Sequence, residues 1–359
     1  MEKVVSSTQT VTQLDSSSHI NDPNKLKSVF NEQGFLILRN VLDLKEVRKV
    51  KIDIMNILKE YGFINKEEEE PIWTKKEYNE TELAPLPTAE NCEVGKKIAE
   101  LQSLKDLYNS DRIMNILRNL LGGDNIYVWK DNVERVRVML PGKKPIIIAK
   151  QKAPRFTGGH QDQVFFRFED NRETPFVTAW IPLMEIDEIT GGLVLAKDTH
   201  ERGLFRHYYG PNGEQRFIPF TEAQRKEWEE EGCTSPVDGC ILQGNEKWIR
   251  ADYKEGDVIL FHNNIVHAGL PNLSKKIRIS GDFRYQIEGT NMQWEAKHTL
   301  SYAFNYYTEI STEIARLGIE KELIPRIMYR IMFLEGPTNE KGETHEKRIL
   351  DCAANLRKE

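Results

Sequence analysis

Gly256-Asp257-Val258-Ile259-Leu260-Phe261-His262-Asn263-Asn264-Ile265-Val266-His267-Ala268-Gly269 is the stretch from which the fold is read. Gly256-Asp257 turns the chain into an unbroken apolar run, the pattern of a buried strand. The polar Asn263-Asn264 break ends that run, and a second apolar pair, Ile265-Val266, leads to His267. The same texture continues outward. From 126 to about 286 the chain passes through short β-rich runs at 126–129, 133–140, 146–152, 176–183, 192–196, 257–261 and 277–285. Many short strands separated by Gly, Pro and Asn turns favour a sandwich or barrel over a parallel α/β sheet. The expectation is a mainly β protein with helical flanks, built on a double-stranded β-helix, the jelly-roll or cupin-like core.

The flanks read differently. Residues 1–25 are rich in Ser, Thr, Gln, Asn and Asp without apolar periodicity, which predicts a flexible tail. A single domain over 26–359 follows, with a helical part at 26–125. There Leu26, Val29 and Phe30 fit a short helix ended by Gly34, and 35–38 is a buried strand. Asp43 caps a helix over 44–61 that Gly62 stops. The charge run 66–70 and the segment to about Pro87 read as a surface loop, and 94–121 as helix closing at Gly122-Gly123. Within the β core at 126–286, a polar insertion occupies 203–256, helical at 222–231. Residues 302–356 are helical again, broken at Pro325.

Composition narrows the function. The 359 residues are 39% hydrophobic and 30% charged with a net charge of -6, so no bulk positive field gathers phosphate backbones. The longest aliphatic stretches, such as Ile146-Ile147-Ile148-Ala149, fall far short of the roughly 18 residues of a membrane span. The first residues lack the apolar core of a secretory signal. Cys92, Cys233, Cys240 and Cys352 form no CxxC pair and read as reduced thiols. A cytoplasmic protein is expected, as a monomer or homodimer, acting on a small molecule and on neither nucleic acid nor membrane.

Chemistry concentrates at Gly158-Gly159-His160-Gln161-Asp162. Residues i and i+2 of a strand end project to one side, so His160 and Asp162 can offer an imidazole nitrogen and a carboxylate oxygen to one ion. A second histidine would complete a two-histidine, one-carboxylate site, whose open positions suit non-haem iron. His262 and His267 compete. His267 is preferred, because Ile265-Val266 packs behind it and Arg278 follows eleven residues later on a strand. A guanidinium fork grips a carboxylate bidentately. Ser280, Asp282 and Arg284 continue the period-two face that Arg278 begins, too polar for a plain core. A zinc hydrolase, a metal-dependent isomerase or a ligand-binding module could use the same histidines and carboxylate, but none explains Arg278.

These residues resemble the phytanoyl-CoA dioxygenase family of Fe(II)/2-oxoglutarate-dependent oxygenases over most of 26–286. Phe30-Asn31-Glu32-Gln33-Gly34-Phe35-Leu36-Ile37-Leu38-Arg39-Asn40-Val41-Leu42 is similar to the family's opening helix and strand. His160-Gln161-Asp162 resembles its proximal ligand motif. Val177-Thr178-Ala179-Trp180-Ile181-Pro182-Leu183, Thr190-Gly191-Gly192-Leu193 and Lys197-Asp198-Thr199-His200 resemble its central strand pair and following turn. Gly256-Asp257 through His267, with Pro271-Asn272 and Arg278, resembles its distal segment. The resemblance implies that His160, Asp162 and His267 hold Fe(II) and that Arg278 binds the distal carboxylate of 2-oxoglutarate. It also implies that Gln161 and Trp180 line the co-substrate pocket and that O2 is the oxidant. Many members carry a hydroxyl two residues after the distal histidine. Here Gly269 stands, leaving Ser280 or a backbone group to substitute. His200 reads as a structural turn residue. The presence of Asp162 argues against halogenation, which needs that carboxylate to be missing.

The substrate is the least legible part. Between Val136 and Gln161 lie Arg137, Lys143, Lys144, Lys150, Lys152 and Arg155 with no acidic residue. One or two of these, such as Lys150 or Lys152, with Arg284, would attract an anionic group. Phe165, with Phe166 and Phe168, would supply an apolar wall. Hydroxylation of a small anionic or zwitterionic metabolite is expected, with the 203–256 insertion and the C-terminal helices forming the mouth.

Overall fold

A computed structural model of the chain describes residues 14–79, 82–83, 92–129, 135–142, 146–148, 151–153, 160–165, 176–202, 208–209, 215–216 and 248–289. Towards the C-terminus it describes 310, 312–320, 323–324, 327, 331 and 344–358. Several expected features lie outside these residues: 1–13, the segment around Pro87, the helix at 222–231, Phe166, Phe168, Cys233, Cys240 and Pro325.

Local chemistry sets the N-terminal elements. The Asp22 carboxylate accepts the Lys25 N–H at 3.1 Å and Pro23 opens α1 (Pro23–Gln33), so this helix starts before Leu26. Within the stretch expected as a tail, Asp15 bridges Ile37 and Ser17–His19 forms a 3-10 turn. Gly34, left-handed at φ 77°, ends α1 and admits β1 (Phe35–Leu38). Asp43 caps α2 (Leu44–Glu60) through the Lys45 N–H. The helix expected over 94–121 is three, α3 (Glu93–Glu100), α4 (Gln102–Tyr108) and α5 (Asp111–Leu121), because Leu101 and Ser110 leave helical geometry. Apolar periodicity persists through both breaks, so it does not reveal them. A last helix, α6, spans His345–Leu356.

The strands described are β2 (Ile126–Val128), β3 (Arg135–Met139), β4 (Ile146–Ile148), β5 (Gln151–Ala153), β6 (Val177–Pro182), β7 (Leu193–Ala196), β8 (Tyr208–Tyr209), β9 (Gln215–Arg216), β10 (Trp248–Arg250), β11 (Val258–His262), β12 (His267–Gly269) and β13 (Arg278–Ile287). The large sheet runs β1-β11-β6-β13-β2, with β3 also on β13, and the small one runs β10-β7-β12; every named strand pair is antiparallel. Residues of both sheets and of the N-terminal helices share one apolar core. The jelly-roll architecture with helical flanks is therefore the observed one.

Two expectations are corrected. The run at 146–152 is a β4–β5 hairpin, with Ile148 opposite Gln151 and only two residues between them. The end of the presumed insertion belongs to the small sheet: Arg250 pairs with Val194, and Ile186 bridges Tyr253. A three-residue strand is too short to show a period.

Strand β13 positions the site. Its Phe283 ring lies 5.1 Å from Tyr108 of α4, and the Tyr285 hydroxyl donates to the Tyr108 carbonyl at 2.7 Å. The odd-numbered face is thus covered by helices, while Arg278, Ser280, Asp282 and Arg284, all buried, point to the other side. No helix among the described residues is long and apolar enough to cross a membrane.

Candidate metal and co-substrate site

His160 and His267 form an isolated antiparallel bridge beside the small sheet. They exchange both backbone hydrogen bonds, 2.7 Å from the His160 N–H and 2.9 Å from the His267 N–H. The two imidazoles consequently stand side by side, with ring centroids 4.1 Å apart. Asp162 begins a 3-10 turn (Asp162–Phe165) immediately after, which swings its carboxylate under both rings. Its Oδ1 lies 3.5 Å from His160 Nε2 and 3.7 Å from His267 Nε2.

All three side chains are buried, and their ligand atoms lie within 4.8 Å of one another. Donors at about 2.1 Å from a shared ion and at right angles would be about 3.0 Å apart, so slight inward rotation closes this set on a metal. The histidine that completes the set is His267. His262 packs instead against Phe30 and His200, and its Nδ1 accepts the Asn264 N–H.

Protonation states suit ligation. Burial, and then neighbouring His160, push His267 down to about 3, so its imidazole is neutral. Its Nδ1–H donates to the Ile265 carbonyl at 3.1 Å, leaving Nε2 bare towards the centre. Burial alone would raise Asp162, but the Arg284 guanidinium and the histidines hold it well below the usual carboxylate range.

A small pocket opens on this centre. His160, His267, Trp180, Phe261, Arg137 and Arg278 are among the residues lining it. Trp180 stands edge-on to Tyr253 with centroids 4.8 Å apart. One guanidinium nitrogen of Arg278 donates to the Gly191 carbonyl and, at 3.3 Å, to that of Leu270, while its Nε has no hydrogen-bond partner among the described residues. Gly191 has φ 74°, and a Cβ there would meet the Pro271 carbonyl oxygen at 2.2 Å, so this close backbone approach requires glycine. Burial, then Arg137, push Arg278 down to about 9, a cost that an anion in the pocket would reverse. No carboxylate among the described residues pairs with it.

Other expected site residues fall elsewhere. Gln161, between His160 and Asp162, is not among the residues lining the pocket, and its side-chain amide donates to the Asn264 carbonyl at 2.5 Å. Ser280 is fully buried between Arg278 and Asp282, and its hydroxyl has no partner among the described residues. Arg284 is not offered to a substrate. It is buried against Asp162 Oδ2 at 2.9 Å and Asp282 Oδ1 at 3.6 Å. His200 donates its Nε2–H to the Asn31 carbonyl at 2.8 Å in this turn. Lys150 and the side chains of Lys152 and Phe165 lie outside the described residues.

Two further residues contribute: Arg137, one of the six basic residues read from the sequence, and Thr178, which was given no role there. Arg137 lines the pocket from β3, directly opposite Ser280. Thr178 donates its hydroxyl to Asp162 Oδ2 at 2.6 Å. The period-two relation of Thr178 to Trp180 was the available signal for the latter.

Comparison with known proteins is consistent in kind. A model of the family described as Phytanoyl-CoA dioxygenase (PhyH) matches residues 30–280. A curated 1-deoxypentalenic acid 11-beta-hydroxylase from Streptomyces arenae is 27% identical over 288 residues, covering 79% of this chain and 87% of that protein. Its namesake from Streptomyces exfoliatus is 26% identical over 289 residues, covering 79% and 88%. Among solved structures, the epimerase SnoN in complex with Fe3+, alpha ketoglutarate and nogalamycin RO aligns with a TM-score of 0.46 at 15% identity, covering 74% of this chain and 83% of that one.

Proposed function

The chain belongs to the phytanoyl-CoA dioxygenase family, and from that premise we propose an Fe(II)- and 2-oxoglutarate-dependent oxygenase that hydroxylates an unactivated C–H bond of a small anionic or zwitterionic metabolite. The observation that carries the reading is the buried His160, Asp162, His267 donor set beside a pocket that is also lined by Arg278, an arginine with no carboxylate partner among the described residues. When bound, iron with 2-oxoglutarate and oxygen supplies the oxidising power, the co-substrate leaving as succinate and carbon dioxide.

The protein's own residues bind, orient and exclude. His160 and His267 present their imidazoles from a backbone-locked bridge, and Asp162 presents one oxygen. Arg278, oriented by the Gly191 and Leu270 carbonyls, takes the remote carboxylate of 2-oxoglutarate. Trp180, Leu193 and Phe261 wall the pocket against water. For the substrate, the six basic residues between Val136 and Gln161, with no acidic one among them, favour an anion. The curated relatives are named for hydroxylating an acid, which supports the same class.

Anaerobic protein with Fe(II) and 2-oxoglutarate should show a weak visible charge-transfer band that Asp162→Ala or His267→Ala abolishes. A wild-type protein that binds neither would end the proposal. Substrate-triggered succinate formation across acids, amino acids, acyl-CoAs and phosphonates tests the substrate class. Stimulation by neutral apolar compounds alone would refute the anionic substrate and leave the oxygenase standing.

A further inference from the structure

The two oxygens of Asp162 have different surroundings. Oδ1 faces the histidine nitrogens, whereas Oδ2 accepts one hydrogen bond from Thr178 Oγ1 at 2.6 Å and another from an Arg284 guanidinium nitrogen at 2.9 Å. Strand register explains why both donors reach one atom: Thr178 of β6 and Arg284 of β13 are directly opposed across the large sheet. Arg284 is itself held from behind. Asp282 lies 3.6 Å away and is gripped in turn by Arg137, whose Nε donates at 3.2 Å. Charges alternate from Asp162 through Arg284 and Asp282 to Arg137 on the pocket wall.

Building on the proposed iron site, we propose that Arg284, assisted by Thr178, is a positioning residue that keeps Asp162 a one-oxygen ligand. A carboxylate free to rotate can chelate through both oxygens and take an extra coordination position. Two histidines and one oxygen leave three of six positions, enough for a two-point co-substrate and oxygen; a chelating carboxylate leaves two. A charged donor and a hydroxyl on Oδ2 oppose that rotation. Burying a complete guanidinium is costly where an apolar side chain would fill the same space, which makes a purely packing role a poor account of Arg284.

The test uses full-length protein with Co(II) as the probe, reading Co(II) affinity, the visible Co(II) spectrum and 2-oxoglutarate affinity of the Co(II)-loaded protein. Arg284→Met should weaken Co(II) binding by about 10- to 100-fold. It should also alter the spectrum through the changed coordination number. Thr178→Val should move both readouts the same way by less, and Arg284→Lys should recover part of the loss. A folded Arg284→Met protein with Co(II) affinity within about threefold of wild type and an unchanged spectrum would overturn the proposal, whatever its melting temperature. If Arg284→Met does not fold, Thr178→Val and Arg284→Lys decide: altered spectra support the role, and unaltered spectra in both refute it. Failure of the wild type to bind Co(II) would instead remove the metal site on which the inference rests.

Discussion

Replacing Arg278 with lysine keeps a positive charge in the pocket but removes the planar fork and its anchorage. In the structure one guanidinium nitrogen is held by the Gly191 and Leu270 carbonyls, which leaves the remaining N–H edge for a ligand carboxylate. Lysine has a single donor centre, so one of two charge-assisted contacts to that carboxylate is lost and the ammonium must also satisfy the two carbonyls. A hydrogen bond to a charged group contributes about 1.5–3 kcal/mol, which corresponds to a roughly 10- to 150-fold weaker 2-oxoglutarate affinity. Metal affinity should change little, because Arg278 contacts none of the three ligands. Anaerobic calorimetric titration of 2-oxoglutarate into Co(II)-loaded Arg278→Lys and wild type measures the ratio, with Co(II) affinity as the internal control. A change below about threefold in Arg278→Lys, alongside a large loss confined to 2-oxoglutarate in Arg284→Lys, would show that the co-substrate is clamped at the other end of β13 and refute the reasoning.

Two further outcomes follow from buried groups near the site. Burial, then His200, push His262 from 6.5 down to about 4, so as pH falls the unfolded chain takes up this proton first. Apoprotein stability should therefore be complete above about pH 6.5 and decline towards pH 4, by at most about 1.4 kcal/mol per pH unit from this group. Urea melts of wild type against His262→Gln measure it, and an equal slope in both would contradict the assignment. Gly34→Ala combines a left-handed φ of 77° with a Cβ 2.4 Å from His200 Nδ1. A destabilisation of about 2–4 kcal/mol is expected in the same assay, and a loss below about 1 kcal/mol would show that the His200 turn yields freely.

Strand runs and the i, i+2 pair of His160 and Asp162 were legible because side-chain alternation and turn residues are local properties. The same locality marked Arg278, Ser280, Asp282 and Arg284 as one face of β13, and the structure buries all four. Alternation says nothing about distance along the face. At about 3.3 Å per residue, Arg284 lies about 20 Å along the strand from Arg278, too far for both to grip one small anion. Arg284 consequently serves Asp162 rather than a substrate.

The choice between His262 and His267 shows the same division. Each follows an apolar run near the end of the stretch 256–269, and spacing alone leaves them in competition. The backbone bridge to His160, more than one hundred positions earlier in the chain, selects His267, while His262 packs on Phe30 and His200. Arg137 and Thr178 enter the site in like manner, by register across β13 from Ser280 and Arg284. By itself, then, the sequence determined the class of fold, the kind of donor atoms and the strand that carries the arginines, since these depend on residue type and short-range period. Which histidine stands beside His160, which arginine lines the pocket and which oxygen of Asp162 faces the two imidazoles were decided only by the tertiary structure, because each depends on contacts between strands far apart in the chain.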